Sequence, residues 1–151
     1  MTDPKPIHIL LVEDNLHDIE IAQRAFSKSA AAVKLVVVRY GQDALDYLNH
    51  RGKFHPPDTS PRPALILLDL NLPRMNGFEV LKKIKQDEHL KSIPVIILTV
   101  SDRNEDIVPS YALGANTYIQ KPVDFKNFIQ IVKTIEGYWI GIASLPVHDE
   151  T

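Results

Sequence analysis

Three short apolar runs punctuate the chain: Ile7 to Val12, broken only by His8, then Ala64 to Leu68, and Pro94 to Leu98. Each stops on polar residues, as strands do when a parallel sheet is covered on both faces. Two weaker stretches complete a set of five predicted strands. They are Lys34 to Val38, which is β-branched and precedes a break at Gly41, and Thr117 to Gln120, which follows Gly114 and Asn116. Between the strands, apolar residues recur at helical spacing: Ile19, Ala22 and Phe26; Leu45 and Leu48; Phe78, Leu81 and Ile84; Ile107, Tyr111 and Ala112. The last segment is the clearest. Phe125, Phe128, Ile129, Val132 and Ile135 form a wide stripe that needs a sheet to cover it.

Strict alternation of strand and helix predicts right-handed crossovers and an α/β domain: a doubly wound, five-stranded parallel sheet with helices on both faces. The common strand order for five strands is 2-1-3-4-5, the flavodoxin-like arrangement. Function in such folds collects beyond the carboxyl ends of the strands, where the order reverses. Those ends are polar here. The first strand runs into Glu13 and Asp14, the third into Asp69, the fourth into Thr99, and the fifth into Lys121 followed by Pro122. Carboxylates gathered in one crevice resist ionising unless a cation compensates them. A hard divalent ion such as Mg²⁺ suits a site with few protein oxygens and an open side. Asp69 could then attack phosphorus while the metal and Lys121 neutralise charge on the equatorial oxygens.

These residues resemble the response-regulator receiver domains of two-component signalling, over roughly Ile7 to Ile135. The resemblance rests on Val-Glu-Asp-Asn at 12 to 15, Leu-Leu-Asp-Leu-Asn-Leu-Pro at 67 to 73 with Gly77, Leu98-Thr99, Leu-Gly-Ala-Asn at 113 to 116, and Lys121-Pro122. It implies that Asp69 accepts a phosphoryl group from a sensor histidine kinase. It further implies that Glu13, Asp14, Asp69 and the backbone carbonyl of Asn71 bind Mg²⁺, that Thr99 contacts the new phosphoryl, that Lys121 pairs with it, and that Tyr118 changes rotamer on activation. Asp-Leu-Asn-Leu-Pro, a lengthened link before the third strand and a C-terminal extension are most similar to the stand-alone receivers of bacterial phytochrome kinases. The expected division is a tail over 1–6, a receiver domain over 7–137 and an extension over 138–151.

Composition narrows the partners. The 151 residues match one ordinary domain, and 44% hydrophobic with 24% charged residues is a globular balance. A net charge of −2, with Lys and Arg scattered, gives neither nucleic acid nor an anionic membrane a basic face to bind. The absence of cysteine excludes disulfides, thiolate metal sites and thiol nucleophiles. Met-Thr-Asp-Pro-Lys-Pro lacks the apolar run of a signal peptide and no stretch is long enough to span a bilayer, so a cytoplasmic protein is expected.

Taken singly, each site residue has an ordinary explanation. Glu13 and Asp14 could cap a helix, Asp69 could be a turn residue, and Thr99 and Lys121 are common surface types. Their order along the chain is what points to chemistry. Two other readings stay open: an unphosphorylated docking module of the same fold, and a phosphatase of small phosphoesters. The haloacid-dehalogenase phosphatases carry a second Asp two residues after the nucleophile, where this chain has Asn71. His50 and His55 lack metal-ligand spacing and flank Pro56 and Pro57 in a polar loop. Four prolines should keep Arg51 to Pro63 extended and non-helical.

Two residues depart from the family pattern. Val100 stands where a small residue usually borders the path to the acyl phosphate, and is expected to slow both arrival of small donors and attack by water. Pro109 lies inside Glu105 to Ala112, so the fourth helix is expected to start late or distort, with a mobile first turn. Tyr138, Trp139, Ile140, Ile142 and Leu145 carry more apolar surface than a solvated terminus. They should fold back or meet another chain, with a homodimer through the helix 4, strand 5, helix 5 face preferred.

Overall fold

A computed structural model of the protein describes residues 6–28, 33–55 and 60–141. Strands β1 (Ile7–Val12), β2 (Val33–Val38), β3 (Leu65–Leu68), β4 (Val95–Thr99) and β5 (Thr117–Gln120) alternate with helices α1 (Leu16–Ser27), α2 (Gly41–Leu48), α3 (Gly77–Gln86), α4 (Asn104–Ala112) and α5 (Phe125–Ile135). All pairings are parallel, in the order β2-β1-β3-β4-β5. This is the expected doubly wound α/β sheet.

Because successive side chains of a strand point to opposite faces, each apolar run serves two cores at once. Leu10, Val12, Ile66, Leu68, Val95 and Ile97 pack with Leu45 and Leu48 of α2 and with Val80, Leu81 and Ile84 of α3. Ile9, Leu11, Leu65, Leu67, Ile96 and Leu98 pack with Ala22 and Phe26 of α1 and with Phe128, Val132 and Ile135 of α5. Each such buried aliphatic contributes roughly 1.5–3 kcal/mol against exposure, so β1, β3 and β4 form the stiffest part of the molecule.

Three helices start from side-chain caps next to the strand ends. Asn15, Asn76 and Asp124 accept from the amides of Asp18, Glu79 and Asn127 and begin α1, α3 and α5. Gly77, the first residue of α3, lies against the end of β3: a Cβ there would come within 2.3 Å of the Asp69 carbonyl oxygen. Only glycine lets the helix begin that close.

Three expectations need correction or refinement. Helix α4 does not start late. The Arg103 carbonyl accepts from the amides of Asp106 and Ile107, and the Ser101 hydroxyl binds the Asp106 carboxylate at 2.5 Å, so a polar staple holds the first turn ahead of Pro109. Nor does α4 bury Ile107, Tyr111 and Ala112. Its one buried residue is Ser110, whose hydroxyl donates to the Asp106 carbonyl at 2.6 Å, so that a small polar group is satisfied at the helix's only buried position. The link after α2 is not wholly extended: Gly52–Phe54 forms a 3₁₀ turn, with Gly52 at φ +59° and the Phe54 ring edge-on to Tyr47. That turn precedes all four prolines, which is why they do not prevent it.

After Ile135 the last helix runs on as a π-helical turn, Glu136–Ile140. Trp139 and Ile140 pack partly against the α1–α5 core, while Tyr138 is half exposed. Ile142 and Leu145 lie outside the described residues. No helix among the described residues is long and apolar enough to cross a membrane.

Candidate functional site

Register builds the site. Val12 and Leu68 are paired across β1 and β3, so the residues that follow them, Glu13 and Asp69, lie side by side where the strand order reverses. The ladder continues through their backbones, with Glu13 N donating to Val38 O at 3.0 Å and Asp69 N donating to Val12 O at 3.1 Å. On the other side, Lys121 N donates to the carbonyl of Thr99, the last residue of β4, at 2.6 Å. Backbone bonds of the sheet thus aim four functional side chains into one crevice.

Asp69 is 6% exposed and both of its oxygens are engaged. Oδ1 accepts from the Thr99 hydroxyl at 2.7 Å and from the Asn71 amide at 3.1 Å, and Oδ2 accepts from Lys121 Nζ at 3.2 Å. The Asn71 contact, two residues along the chain, is an Asx-type turn that fixes the carboxylate from its own loop. Lys121 Nζ also donates to Glu13 Oε1 at 2.5 Å and to Asp18 Oδ2 at 2.8 Å. The second Glu13 oxygen accepts from the Asn15 amide at 3.1 Å.

The electrostatics separate the two buried acids. Burial alone would raise the Asp69 carboxyl, but the Lys121 ammonium, the Thr99 hydroxyl and the Asn71 amide outweigh it and hold the group below the usual carboxylate range. Glu13 goes the other way. Burial first, then the facing Asp69 carboxylate, push it up to about 7 against the pull of Lys121 and the Asn15 amide. Burial would lower the Lys121 ammonium, but Asp18, Asp69 and Glu13 together raise it above its ordinary value. One buried cation therefore keeps Asp69 ionised while leaving Glu13 on the edge of protonation.

Of the residues singled out in the sequence, Glu13, Asp69, Thr99 and Lys121 come together. Asp14 turns outward, 3.6 Å from the Arg39 guanidinium in a half-exposed ion pair. Asn71 reaches the site through its amide. The Tyr118 hydroxyl donates to the Ser101 carbonyl at 2.8 Å, in the loop that follows Thr99. His50 contacts the Ser60 hydroxyl through Nδ1. Among the described residues no three His, Cys, Asp or Glu side chains form a metal-binding group, because the carboxylates close on Lys121 instead. Sequence reasoning missed Asp18. As the third residue of a helix capped by Asn15 it reads as an ordinary helix-start acid, and the only available signal was its place one turn beyond Asp14, on the same end of the sheet.

The profile of the response regulator receiver domain family matches residues 9–133 of the chain. Response regulator Rcp1 of Synechocystis sp. is 41% identical over 141 residues, spanning 93% of this chain and 94% of that protein. The phosphorylated cyanobacterial phytochrome response regulator RcpA superposes with a TM-score of 0.89 at 44% identity, over 95% of this chain and 100% of that one. The Mn(2+)-bound form of Rcp1 superposes with a TM-score of 0.86 at 41% identity, over 94% and 100% of the two chains.

The raised Glu13 gives a pH dependence of stability. Its carboxyl ionises near 4.5 in the unfolded chain and near 7 in the folded one, so its contribution to stability is full below about 4.5 and is lost as pH rises to about 7. In metal-free buffer, Glu13→Gln should remove that fall, so that the urea midpoint of the variant gains on the parent between those two values. Equal slopes for the two proteins would refute the assignment.

Proposed function

The chain belongs to the response regulator receiver domain family, and on that premise we propose that it accepts a phosphoryl group from the phosphohistidine of a sensor kinase onto Asp69. The observation that carries this reading is a buried carboxylate kept ionised at a strand end by an ammonium, a hydroxyl and an amide. An Asp69 oxygen forms a bond to phosphorus as the phosphorus–nitrogen bond of the donor breaks. Lys121 and the Thr99 hydroxyl, already on the two Asp69 oxygens, are within reach of the phosphoryl oxygens that arrive there. The protein assists only its own phosphorylation and dephosphorylation.

The donor set fits a hard divalent cation. Glu13 and Asp69 supply only oxygen, and the raised Glu13 carboxyl is a sign that Lys121 alone does not cancel the negative charge. Glu13, Asp14, Asp69 and the Asn71 carbonyl would hold Mg²⁺. When bound, the ion would neutralise charge on the phosphoryl oxygens. Binding requires that Asp14 leave Arg39, a half-exposed contact with little to hold it.

Switching runs through the loop after β4. Thr99 touches Asp69 directly, and two residues later the Ser101 carbonyl holds the Tyr118 hydroxyl. A Thr99 hydroxyl that turns toward a phosphoryl group pulls on this loop and frees Tyr118 to change rotamer. The surface altered is α4, β5 and α5, where Val108 and Tyr111 are already exposed and a homodimer would form. The receiver unit spans 7–137 and the extension 138–151, which begins with the exposed Tyr138. A phytochrome-type kinase in the cytoplasm is the proposed donor, on the strength of the relative named as a cyanobacterial phytochrome response regulator.

Phos-tag electrophoresis after incubation with Mg²⁺ and acetyl phosphate, or with a cognate kinase, should show a shifted band that Asp69→Asn and EDTA each abolish; a band that survives Asp69→Asn places the acceptor elsewhere. Val100 stands 59% exposed beside Thr99, in the path of donor and water. Its replacement by Ala should speed both phosphorylation by acetyl phosphate and acyl-phosphate hydrolysis several-fold, and unchanged rates would remove it from that path. Light scattering at high concentration should give a dimer mass in the phosphorylated protein, and a monomer in both states would exclude the homodimer.

A further inference from the structure

Asp18 holds the Lys121 ammonium more closely than the proposed acceptor Asp69 does. Its Oδ2 lies 2.8 Å from Lys121 Nζ, against 3.2 Å for Asp69 Oδ2. The position is fixed, because the Asp18 amide is bound to the Asn15 side chain at 3.0 Å, which sets the first turn of α1. A lysine ammonium has three N–H donors. Here Glu13, Asp18 and Asp69 take all three, and the Lys121 side chain is 4% exposed, so water offers no spare partner.

A phosphoryl group on Asp69 brings new oxygens to this ammonium. Since no N–H is free, each arriving oxygen must displace a contact: the 3.2 Å bond to Asp69 Oδ2 makes room for one, and a second needs Glu13 or Asp18 to give way. The Glu13 side chain is only 4% exposed, so a hydrogen bond lost there is not replaced by one to water, whether the carboxyl is ionised or protonated. The Asp18 side chain is 23% exposed and sits in the first turn of a helix, where water and the helix dipole favour its negative charge without Lys121. It is the contact that breaks at least cost.

We infer that Asp18 is a positioning residue: it draws the Lys121 ammonium away from Asp69 in the resting protein and releases it when Asp69 carries a phosphoryl group, so that it opposes the phosphorylated state. This rests on Asp69 being the acceptor. Asp18 touches none of the reacting atoms and acts only through Lys121. Removing its charge leaves the ammonium with two carboxylates and a free N–H for the phosphoryl oxygens.

The test is titration of the full chain with beryllofluoride, a reversible acyl-phosphate analogue, in saturating Mg²⁺, followed by ¹⁹F NMR. Asp18→Asn and Asp18→Ala should half-saturate at concentrations at least threefold lower than the parent, while Asp18→Glu, which keeps the charge, should return toward it. In a Lys121→Ala background Asp18→Asn should have no effect, since the contact it removes is absent. Should that background fail to fold, the gain of Asp18→Asn should persist in 0.5 M salt, where a long-range charge effect is screened. Equal or weaker binding by Asp18→Asn overturns the inference, as does a gain that survives in Lys121→Ala or vanishes in salt. Failure of the parent to bind, alike with Asp69→Asn, would instead overturn the acceptor reading beneath it.

Discussion

A buried ammonium with three carboxylates around it sets the terms for this protein. Lys121 meets Glu13 just past β1, Asp18 in α1 and Asp69 just past β3, at a point where little water reaches. Charge of this kind is expensive to bury and still more expensive to leave unpaired. The arrangement therefore holds the strand ends together and makes the crevice sensitive to any new charge. On the proposed function, a phosphoryl group or a divalent cation would enter a network already at its limit of donors, and the network would have to rearrange to admit it.

The sheet supplies the rigid frame for that rearrangement. Val12, Leu68 and Thr99 end the three central strands; Thr99 itself and the next residues after the other two, Glu13 and Asp69, are functional, and Lys121 follows the edge strand β5 and is tied to Thr99 by its amide. Fully buried aliphatics below them on both faces resist movement. The periphery is different. Helix α4 buries a single serine, its first turn depends on a polar staple of Ser101, Arg103 and Asp106, and its outer face exposes Val108 and Tyr111. A stiff centre beside a weakly packed α4 would suit the proposed switch, since a change at Thr99 would move the loop to α4 more cheaply than it would move the sheet.

Much of the fold was legible because its signal is local. Apolar runs of strand length with polar ends placed all five strands to within one residue of their observed limits, and Glu13, Asp69, Thr99 and Lys121 could be grouped because each directly ends or follows a strand. The misreadings share a cause. Periodicity assigned α4 an apolar face at Ile107, Tyr111 and Ala112, but which side of a short, weakly amphipathic helix is buried depends on its docking, and Ser110 satisfies its own hydroxyl there. Pro109 was given too much weight because the staple that holds the first turn is made by side chains outside the helix.

The sequence by itself determined the strands, their parallel α/β arrangement and the identity of the acids, hydroxyl and lysine at the strand ends. These follow from spacing along the chain. Tertiary structure alone decided which of those groups touch: Asp14 facing Arg39 and not the crevice, Asp18 joining it, and Glu13 and Asp69 driven to opposite sides of the usual carboxylate range. Contacts between residues up to 108 positions apart, such as Lys121 with Glu13, and the burial that sharpens them arise only when the sheet has closed and water has left.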